Sequence, residues 1–314
     1  MFNKQDNHPT IKAGQKLVSS GLAAGLTTYF LWGFFPVYFK IIESVSVVEI
    51  LAHRIVWGLP FAGLILLLRR QGSEVFKIIK QPKLLIMLSM SAVLIALNWG
   101  VYVWAVQIGE IFQASLGYYI NPLLNVILGI FFFKETLNKL QYLAVGLAAT
   151  GVLILTLYGG AFPYISLLIA LTFGFYGVIR KKVDAGALPG LFIECIILFL
   201  PSIGYLYWLY AAGNLQFLYH NTSEMDVLML LLGPLTVVPL FFFAVAARRM
   251  QLSTLGFLQY LAPTIQFACA LYYGENFTLA HAICFTCIWL AVIIFSFGIW
   301  RKSTAKMSLT QAGN

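Results

Sequence analysis

Charged residues are scarce in this chain. They make up 10% of its 314 residues, whereas a soluble domain of this size carries about 25%. Hydrophobic residues make up 61%, and no polar stretch between the apolar runs is long enough to form a separate soluble catalytic domain. These shortages exclude a soluble globular protein and predict that most of the chain lies in lipid.

The usual signatures of enzymes and metal proteins are also missing. All four cysteines lie inside apolar runs, and the C-x-x-C formed by Cys284 and Cys287 has no second ligand pair, so we interpret them as packing residues. The sequence contains no nucleophile–base pair at usable spacing, no glycine-rich phosphate loop and no metal-ligand cluster. It therefore predicts no catalytic residue, no metal site and no cofactor.

Ten apolar runs are each long enough to cross a hydrocarbon core of about 30 Å. They lack the alternation of barrel strands, and backbone amides in lipid must bond within their own segment, so helices are expected. The predicted spans are Leu17–Phe39, Val47–Leu68, Leu84–Val106, Ile111–Phe133, Leu140–Tyr158, Phe162–Ile179, Leu188–Tyr210, Asp226–Ala247, Leu252–Tyr273 and Phe277–Trp300.

Basic residues occupy only every second connection between these spans. All of the 20 except Lys40 and Arg54 lie in the N-terminal tail, in alternate gaps, or in the C-terminal tail. Short cytoplasmic loops are rich in Lys and Arg, so this pattern predicts that both termini are cytoplasmic. It also explains the net charge of +9 without a nucleic-acid partner.

The two halves of the sequence resemble each other. Ser115-Leu116-Gly117-Tyr118 recurs as Thr254-Leu255-Gly256-Phe257, and Asn121-Pro122 and Lys134-Glu135 recur as Ala262-Pro263 and Gly274-Glu275. An odd number of five spans per half inverts the second copy, as in many transporters with a site at mid-membrane. We predict an all-α membrane protein with tails 1–16 and 301–314 and five-helix repeats 17–158 and 159–300.

The second predicted span carries the densest polar group. Glu49 and His53 are four residues apart and share a helical face, while Arg54 lies about 100° further round the helix. Polar groups inside a membrane are costly and usually face a cavity or a partner. We interpret Arg54 and His53 as solute ligands and Glu49 and His53 as a coupling pair. The alternatives are an interfacial Glu49 and an Arg54 that snorkels outward or ties helices together.

Other polar and aromatic residues, predicted to lie in the middle and outer half of the bilayer like His53, complete a candidate pocket. The predicted solute-binding residues, besides those of the second span, are Trp32, Asn98, Tyr102, Tyr118, Asn121, Gln259 and Tyr260. Glu194, near the cytoplasmic end of the seventh span, is either a second coupling carboxylate or an interfacial one. The set predicts a polar, aromatic-walled pocket for a planar or amphipathic solute.

Five strings along the chain resemble one known family. Leu31–Lys40 (LWGFFPVYFK), Glu49–Arg54 (EILAHR), Ser115–Pro122 (SLGYYINP), Gly233–Thr236 (GPLT) and Gly256–Tyr260 (GFLQY) are similar to RarD-type members of the EamA/drug–metabolite transporter superfamily. The resemblance implies ten helices, two EamA repeats and transport of a metabolite or drug-like solute across a bacterial inner (plasma) membrane. The RarD name carries a chloramphenicol-sensitivity label, but the resemblance defines no physiological substrate.

The expected function is therefore a secondary permease that works by alternating access. Its partners would be a small-molecule solute and the lipid bilayer, with protons or a counter-solute as alternative coupling partners. The main competing hypothesis is a polytopic membrane protein that transports nothing, either an assembly factor or an integral enzyme acting on lipid. A channel is a third alternative, which ten helices in two inverted halves favour less than alternating access.

Overall fold

Helices account for all regular structure in the described residues. A computed structural model of the chain describes residues 9–134, 139–158, 162–219, 222–250 and 258–312. The helices are α1 (Pro9–Gly33), α2 (Phe35–Ile41), α3 (Val47–Leu68), α4 (Gly72–Ile79), α5 (Pro82–Gln107), α6 (Ile111–Phe133), α7 (Lys139–Tyr158), α8 (Tyr164–Lys182), α9 (Ala187–Ala211), α10 (Ser223–Arg249), α11 (Leu261–Tyr272) and α12 (Leu279–Ala312).

The number of membrane spans agrees with the prediction. In the described ranges nine helical segments are long and apolar enough to cross a bilayer, with α1 and α2 counted as one, and α11 is a shorter apolar helix. The predicted ninth span, Leu252–Tyr273, begins among residues 251–257, which lie outside the described residues. The all-helical fold with about ten transmembrane helices is confirmed.

The first span is broken at Phe34, which the apolar pattern did not predict. Pro36 lies in the first turn of α2 and has no N–H to donate to the carbonyl of Trp32, four residues earlier. Gln266 of α11 satisfies this carbonyl instead, because its Nε2 donates a hydrogen bond to Trp32 O at 3.2 Å. This hydrogen bond joins the first span, at its break, to α11 in the predicted ninth span.

The outer surface of the bundle is apolar, as a lipid-facing surface should be. Large side chains on several spans are more than half exposed, among them Leu67, Phe131, Leu157 and Leu200. The short helix α4, which was not predicted, lies in the connection between the second and third spans. Its Val75 side chain is buried, while Phe76 is exposed.

The packing of the spans is symmetric between the two halves. If each span is exchanged with the span five places away, the contact between α1 and α10 becomes that between α8 and α5. By the same exchange α3–α10 becomes α9–α5, and α6–α8 becomes α11–α1. All of these pairs pack together, as do the equivalent spans α7 and α12. An inverted repeat predicts this pattern, although the boundaries at 17–158 and 159–300 stay a prediction.

Small residues and side-chain hydrogen bonds hold the halves together. Gly233 of α10 lies so close to α3 that a Cβ there would be 2.5 Å from the Trp57 carbonyl oxygen. Between α6 and α11, Ser115 Oγ donates to Pro263 O at 2.8 Å, and the Tyr119 and Thr264 hydroxyls are 2.6 Å apart. These contacts define the seam around the site described next.

The bundle has two ends of different charge. Connections 42–46, 108–110, 212–219 and 273–278 lie together at one end, which we call the acidic end; Gln107 Nε2, for example, donates to Val45 O there. Connections 69–71, 80–81 and 183–186 lie at the opposite end, which we call the basic end. The division matches the alternation of basic and acidic connections in the sequence.

Candidate functional site

A cavity of about 290 Å³ lies between the two predicted halves. Its wall is mostly aromatic and apolar. The aromatic members are Tyr29, Trp32, Phe35, Trp99, Tyr102, Tyr118, Phe173, Tyr176 and Phe243, and the other polar members are Arg54, Thr236, Gln259 and Gln266. The size is near the lower end of the range for small-molecule pockets, about 300–1,000 Å³, and the composition is typical of them.

Arg54 supplies the positive charge of the wall. The residue is only 5% exposed, and its Nε donates a 2.7 Å hydrogen bond to Thr236 Oγ1. Thr236 in turn donates to the Leu232 carbonyl at 2.8 Å, so its oxygen lone pairs are left to accept from Arg54. The guanidinium carbon lies 4.1 Å from the centre of the Trp99 ring, within cation–π distance. Arg54 is thus held inside the bundle and does not snorkel outward.

Tyr118 is held in the wall by a residue behind it. Its hydroxyl donates to Asn98 Oδ1 at 3.1 Å, while Asn98 Nδ2 donates to Ile169 O at 2.9 Å and to Thr172 Oγ1 at 3.0 Å. All polar atoms of the Asn98 side chain therefore have partners. Asn98 lies outside the wall and orients Tyr118 toward the cavity.

Two wall residues have a fully buried polar atom without a hydrogen-bond partner among the described residues. Gln266 uses its Nε2 to bind the Trp32 carbonyl, but its Oε1 is buried and has no hydrogen-bond partner among the described residues. The Tyr102 hydroxyl is also buried without a partner in this part of the chain. Since a buried polar group without a partner is costly, both atoms are candidates to bind a ligand.

Glu49 and His53 lie outside the wall, toward the acidic end. Glu49 Oε1 accepts the backbone N–H groups of Gln216 at 3.0 Å and Phe217 at 3.2 Å, which ties α3 to the connection between α9 and α10. His53 Nδ1 accepts from Trp57 Nε1 at 3.0 Å, and its Nε2 is 3.9 Å from Glu49 Oε1. The structure does bring the predicted pair together, but behind the cavity.

Asn121 and Tyr260 also lie outside the wall. Both side-chain polar atoms of Asn121 are buried without a hydrogen-bond partner among the described residues. Tyr260 stacks on Tyr119, with ring centres 6.1 Å apart. Of the predicted solute-binding residues, the wall therefore contains Trp32, Arg54, Tyr102, Tyr118 and Gln259.

Glu194 belongs to a buried cluster next to the cavity. It accepts from Ser91 Oγ at 2.5 Å and from the Tyr176 hydroxyl at 3.4 Å, and Arg180 Nη1 lies 3.7 Å away. Arg180 also donates to the carbonyls of Gly186 at 3.3 Å and Ala187 at 3.1 Å. Because Tyr176 lines the cavity, a change at Glu194 can reach the wall through one side chain.

Glu275, at the acidic end, makes a contact between the halves that we did not predict. Its Oε1 accepts from Ile111 N at 2.5 Å and its Oε2 from Phe112 N at 2.8 Å, so the carboxylate caps the start of α6. Desolvation raises the pKa of Glu275 to about 7, against the effect of the two backbone donors. The recurrence of Lys134-Glu135 as Gly274-Glu275 was the available sequence signal.

The sequence interpretation missed several aromatic wall residues. Tyr29, Phe173, Tyr176 and Phe243 line the cavity. In a chain with 16% aromatic residues, nothing local separates an aromatic ring in a cavity wall from one that faces lipid. The described residues also contain no group of three or more His, Cys, Asp or Glu side chains that could hold a metal ion.

Comparison with known proteins identifies relatives along nearly the whole chain. Residues 19–157 match the model of the EamA-like transporter family. An uncharacterized transporter of Pseudomonas aeruginosa is 43% identical over 283 residues, which cover 90% of this chain and 95% of the relative. Protein RarD of Escherichia coli is 40% identical over 281 residues, which cover 89% and 95%.

A crystal structure of another protein has the same fold. It superposes with a TM-score of 0.58 and 17% sequence identity, over 88% of this chain and 96% of that one. At this identity the likeness concerns the fold alone.

Proposed function

We propose that this chain, which belongs to the RarD-type branch of the EamA-like transporter family, is a secondary permease for a small metabolite or drug-like solute. Membership of the family makes it a multi-pass membrane transporter. The finer proposal is supported above all by the cavity between the two predicted halves, in which Arg54 on α3 meets Thr236 on α10. Many secondary transporters bind solute at such an interface.

In this proposal the solute contacts the wall residues directly. Trp32, Arg54, Tyr102, Tyr118 and Gln259 are the sequence-predicted residues that line the cavity. Asn98 acts as a positioning residue through Tyr118. His53, Asn121 and Tyr260 lie behind the wall, so we assign them a supporting role rather than solute contact.

Alternating access would rock one half of the bundle against the other. The symmetric packing of the spans supports this motion, because an inverted repeat can exchange the conformations of its two halves and so open the site to the opposite side. The seam is held at separate points, among them the Ser115–Pro263 and Tyr119–Thr264 contacts and the Glu275 cap of α6. Contacts at isolated points can break and reform as the halves move.

For coupling to protons or to a counter-solute, we favour Glu194 over the pair of Glu49 and His53. Glu194 bonds to Tyr176, which lines the cavity, so its charge state can affect the solute through that one side chain. Glu49 instead binds two backbone N–H groups in the connection at the acidic end. If Glu49 takes part in coupling, it would therefore do so by controlling how the acidic end of the bundle closes over the cavity.

The proposed orientation rests on charge, and the proposed membrane rests on the bacterial relatives. We propose that the chain lies in the bacterial inner membrane, with the basic end and both termini cytoplasmic. Arg180 at the end of α8 and Arg69 after α3 belong to the basic end, and Glu43, Glu110 and Glu275 belong to the acidic end. The acidic end would then face the periplasm.

Exchange in proteoliposomes tests this function. Purified protein would be reconstituted into vesicles loaded with a defined mixture of amino acids, aromatic carboxylates, nucleosides and chloramphenicol, and exit of each compound would be followed by mass spectrometry. We expect wild-type protein to release at least one compound faster than protein-free vesicles. Arg54→Gln should insert normally but lose most of this release. Arg54→Lys should recover only part, because an ammonium lacks the planar fork of a guanidinium.

Lys40→Gln is the matched control. It removes the other basic residue found outside the basic end, and Lys40 lies at the surface near Glu43, away from the cavity. Release should stay at the wild-type level in this variant. Full release by Arg54→Gln would reduce Arg54 to a structural residue. No release of any compound by correctly inserted wild-type protein would favour the non-transporting alternative.

A further inference from the structure

The charge of the cavity wall restricts what can bind there. Arg54 is the one charged residue in the wall that the described residues form. Its Nε is bonded to Thr236, but neither of its Nη nitrogens makes a hydrogen bond or an ion pair with a described residue. These two nitrogens project end-on from the guanidinium, which is the arrangement that binds both oxygens of a carboxylate.

The positive charge of Arg54 favours a solute with a single negative charge. A buried charge without a partner is costly, so a monoanion that pairs with Arg54 is favoured over a neutral solute. A cation would meet the Arg54 charge with no carboxylate in the wall to offset it. A dianion would leave its second charge without a partner in an apolar cavity.

The remaining wall selects the body of the solute. The ring centres of Trp99 and Phe35 lie 4.1 Å and 5.6 Å from the guanidinium carbon. A planar apolar group attached to the carboxylate would therefore pack among aromatic rings. A cavity of about 290 Å³ limits this body to roughly one small ring system.

Two further atoms indicate a polar group on that body. Gln266 Oε1 can only accept a hydrogen bond, and it has no partner among the described residues. The Tyr102 hydroxyl also lacks a partner and can accept or donate. A neutral N–H or O–H group on the solute would satisfy Gln266, whereas an ammonium would add a positive charge beside Arg54.

We infer that the transported solute is a monocarboxylate with a compact aromatic or planar body and a neutral hydrogen-bond donor. This inference rests on the proposed function, because it treats the cavity as the solute site. It makes Arg54 the group that selects the charge and Gln266 the group that selects the donor.

Calorimetric titration of the purified protein with a matched probe series tests the inference. Phenylacetate, phenylacetamide and protonated phenethylamine share one ring and differ in charge, phenylmalonate adds a second carboxylate, and acetate lacks the ring. We expect phenylacetate to bind at least about tenfold more tightly than each of the others. 4-Hydroxyphenylacetate, which adds a donor for Gln266 Oε1, should bind more tightly than phenylacetate, and equal binding would contradict the donor part of the inference. Equal binding of phenylacetate and phenylacetamide, or no binding of any probe up to about 10 mM, would overturn the inference.

Variants assign the preference to the proposed groups. In Arg54→Gln the dissociation constant for phenylacetate should rise at least about tenfold and approach that of phenylacetamide, while Lys40→Gln should keep the wild-type ranking. In Gln266→Leu the advantage of 4-hydroxyphenylacetate should disappear while the preference for the carboxylate stays. If Arg54→Gln cannot be recovered folded, the ranking in the wild-type protein still decides the charge class.

Measuring binding and transport separately distinguishes failure of the permease function from failure of the charge selection. Binding of phenylacetate without any exchange of it across proteoliposomes would contradict the permease and leave the charge selection standing. Transport of a cation or a neutral solute, with no preference for phenylacetate in binding, would contradict the charge selection and leave the permease standing.

Discussion

Arg54 Nε donates a 2.7 Å hydrogen bond to Thr236 Oγ1 across 182 residues of sequence. The bond joins α3 to α10, which belong to opposite predicted halves, close to where Gly233 allows these helices to approach. It also fixes the direction in which the rest of the guanidinium points. One contact therefore sets both the packing of the halves and the orientation of the cavity charge.

Replacement of Thr236 tests this relationship. Thr236→Val keeps the shape of the side chain but removes the acceptor of the Arg54 bond, whereas Thr236→Ser keeps the hydroxyl. Hydrogen bonds to charged groups contribute about 1.5–3 kcal/mol. We expect Thr236→Val to lower the melting temperature and weaken solute binding, and Thr236→Ser to stay close to wild type in both. Similar thermal unfolding and binding in all three proteins would show that Arg54 is oriented by other contacts.

The Asn98–Tyr118 hydrogen bond provides a second test. Asn98→Ala should lower transport without lowering membrane abundance, because Tyr118 loses the acceptor that holds it in the wall. Tyr118→Phe removes the same bond from the other side and keeps the ring. A double-mutant cycle in transport rates should show strong non-additivity, since both changes remove one bond. Additive losses would indicate that Asn98 acts independently of Tyr118.

Glu275 predicts a pH dependence of stability. Its folded-state pKa of about 7 lies above the value of about 4.3 for an unperturbed glutamate, so the folded protein binds the proton more tightly than the unfolded chain does. The contribution to stability is then greatest below the unfolded pKa and falls as the pH rises toward 7. We expect the melting temperature to decline across this window in the wild type, and to decline less in Glu275→Gln.

The exposed Glu224, at the start of α10, supplies the control for this measurement. Glu224→Gln removes a carboxylate from the same end of the bundle without touching the cap of α6. Its melting temperature should follow the wild-type pH profile. If Glu275→Gln and Glu224→Gln both follow that profile, Glu275 does not titrate in this window.

Topology reporters test the orientation proposed from charge. Reporters fused to either terminus should report a cytoplasmic location. A reporter inserted after Asn221 should report a periplasmic location. The reason is that short Lys- and Arg-rich connections remain on the cytoplasmic side. A periplasmic C-terminus would contradict both the count of ten spans and the inversion of the second half.

The position of Arg54 illustrates what sequence reasoning could and could not achieve for the site. Arg54 stood out because a permanent charge inside an apolar run is costly, and this cost depends on the local sequence alone. His53, its neighbour, was predicted as a solute ligand on the same grounds but lies behind the wall. A rotation of about 100° round the helix axis separates the two, and apolar residues on all faces of α3 leave that rotation undetermined by periodicity.

The sequence by itself determined the membrane location, the spans and the charge of each connection, because the length and polarity of a segment decide whether it can enter lipid. Only the tertiary structure decided which polar residues meet. Asn98 orients Tyr118, and Glu49 binds the connection at the acidic end. Gln266 donates a hydrogen bond to the Trp32 carbonyl, which Pro36 cannot bind because it has no N–H. The last two contacts join residues 167 and 234 positions apart, and all three depend on how whole helices rotate and cross. No local pattern encodes those rotations, since aromatic and apolar residues face lipid and cavity alike.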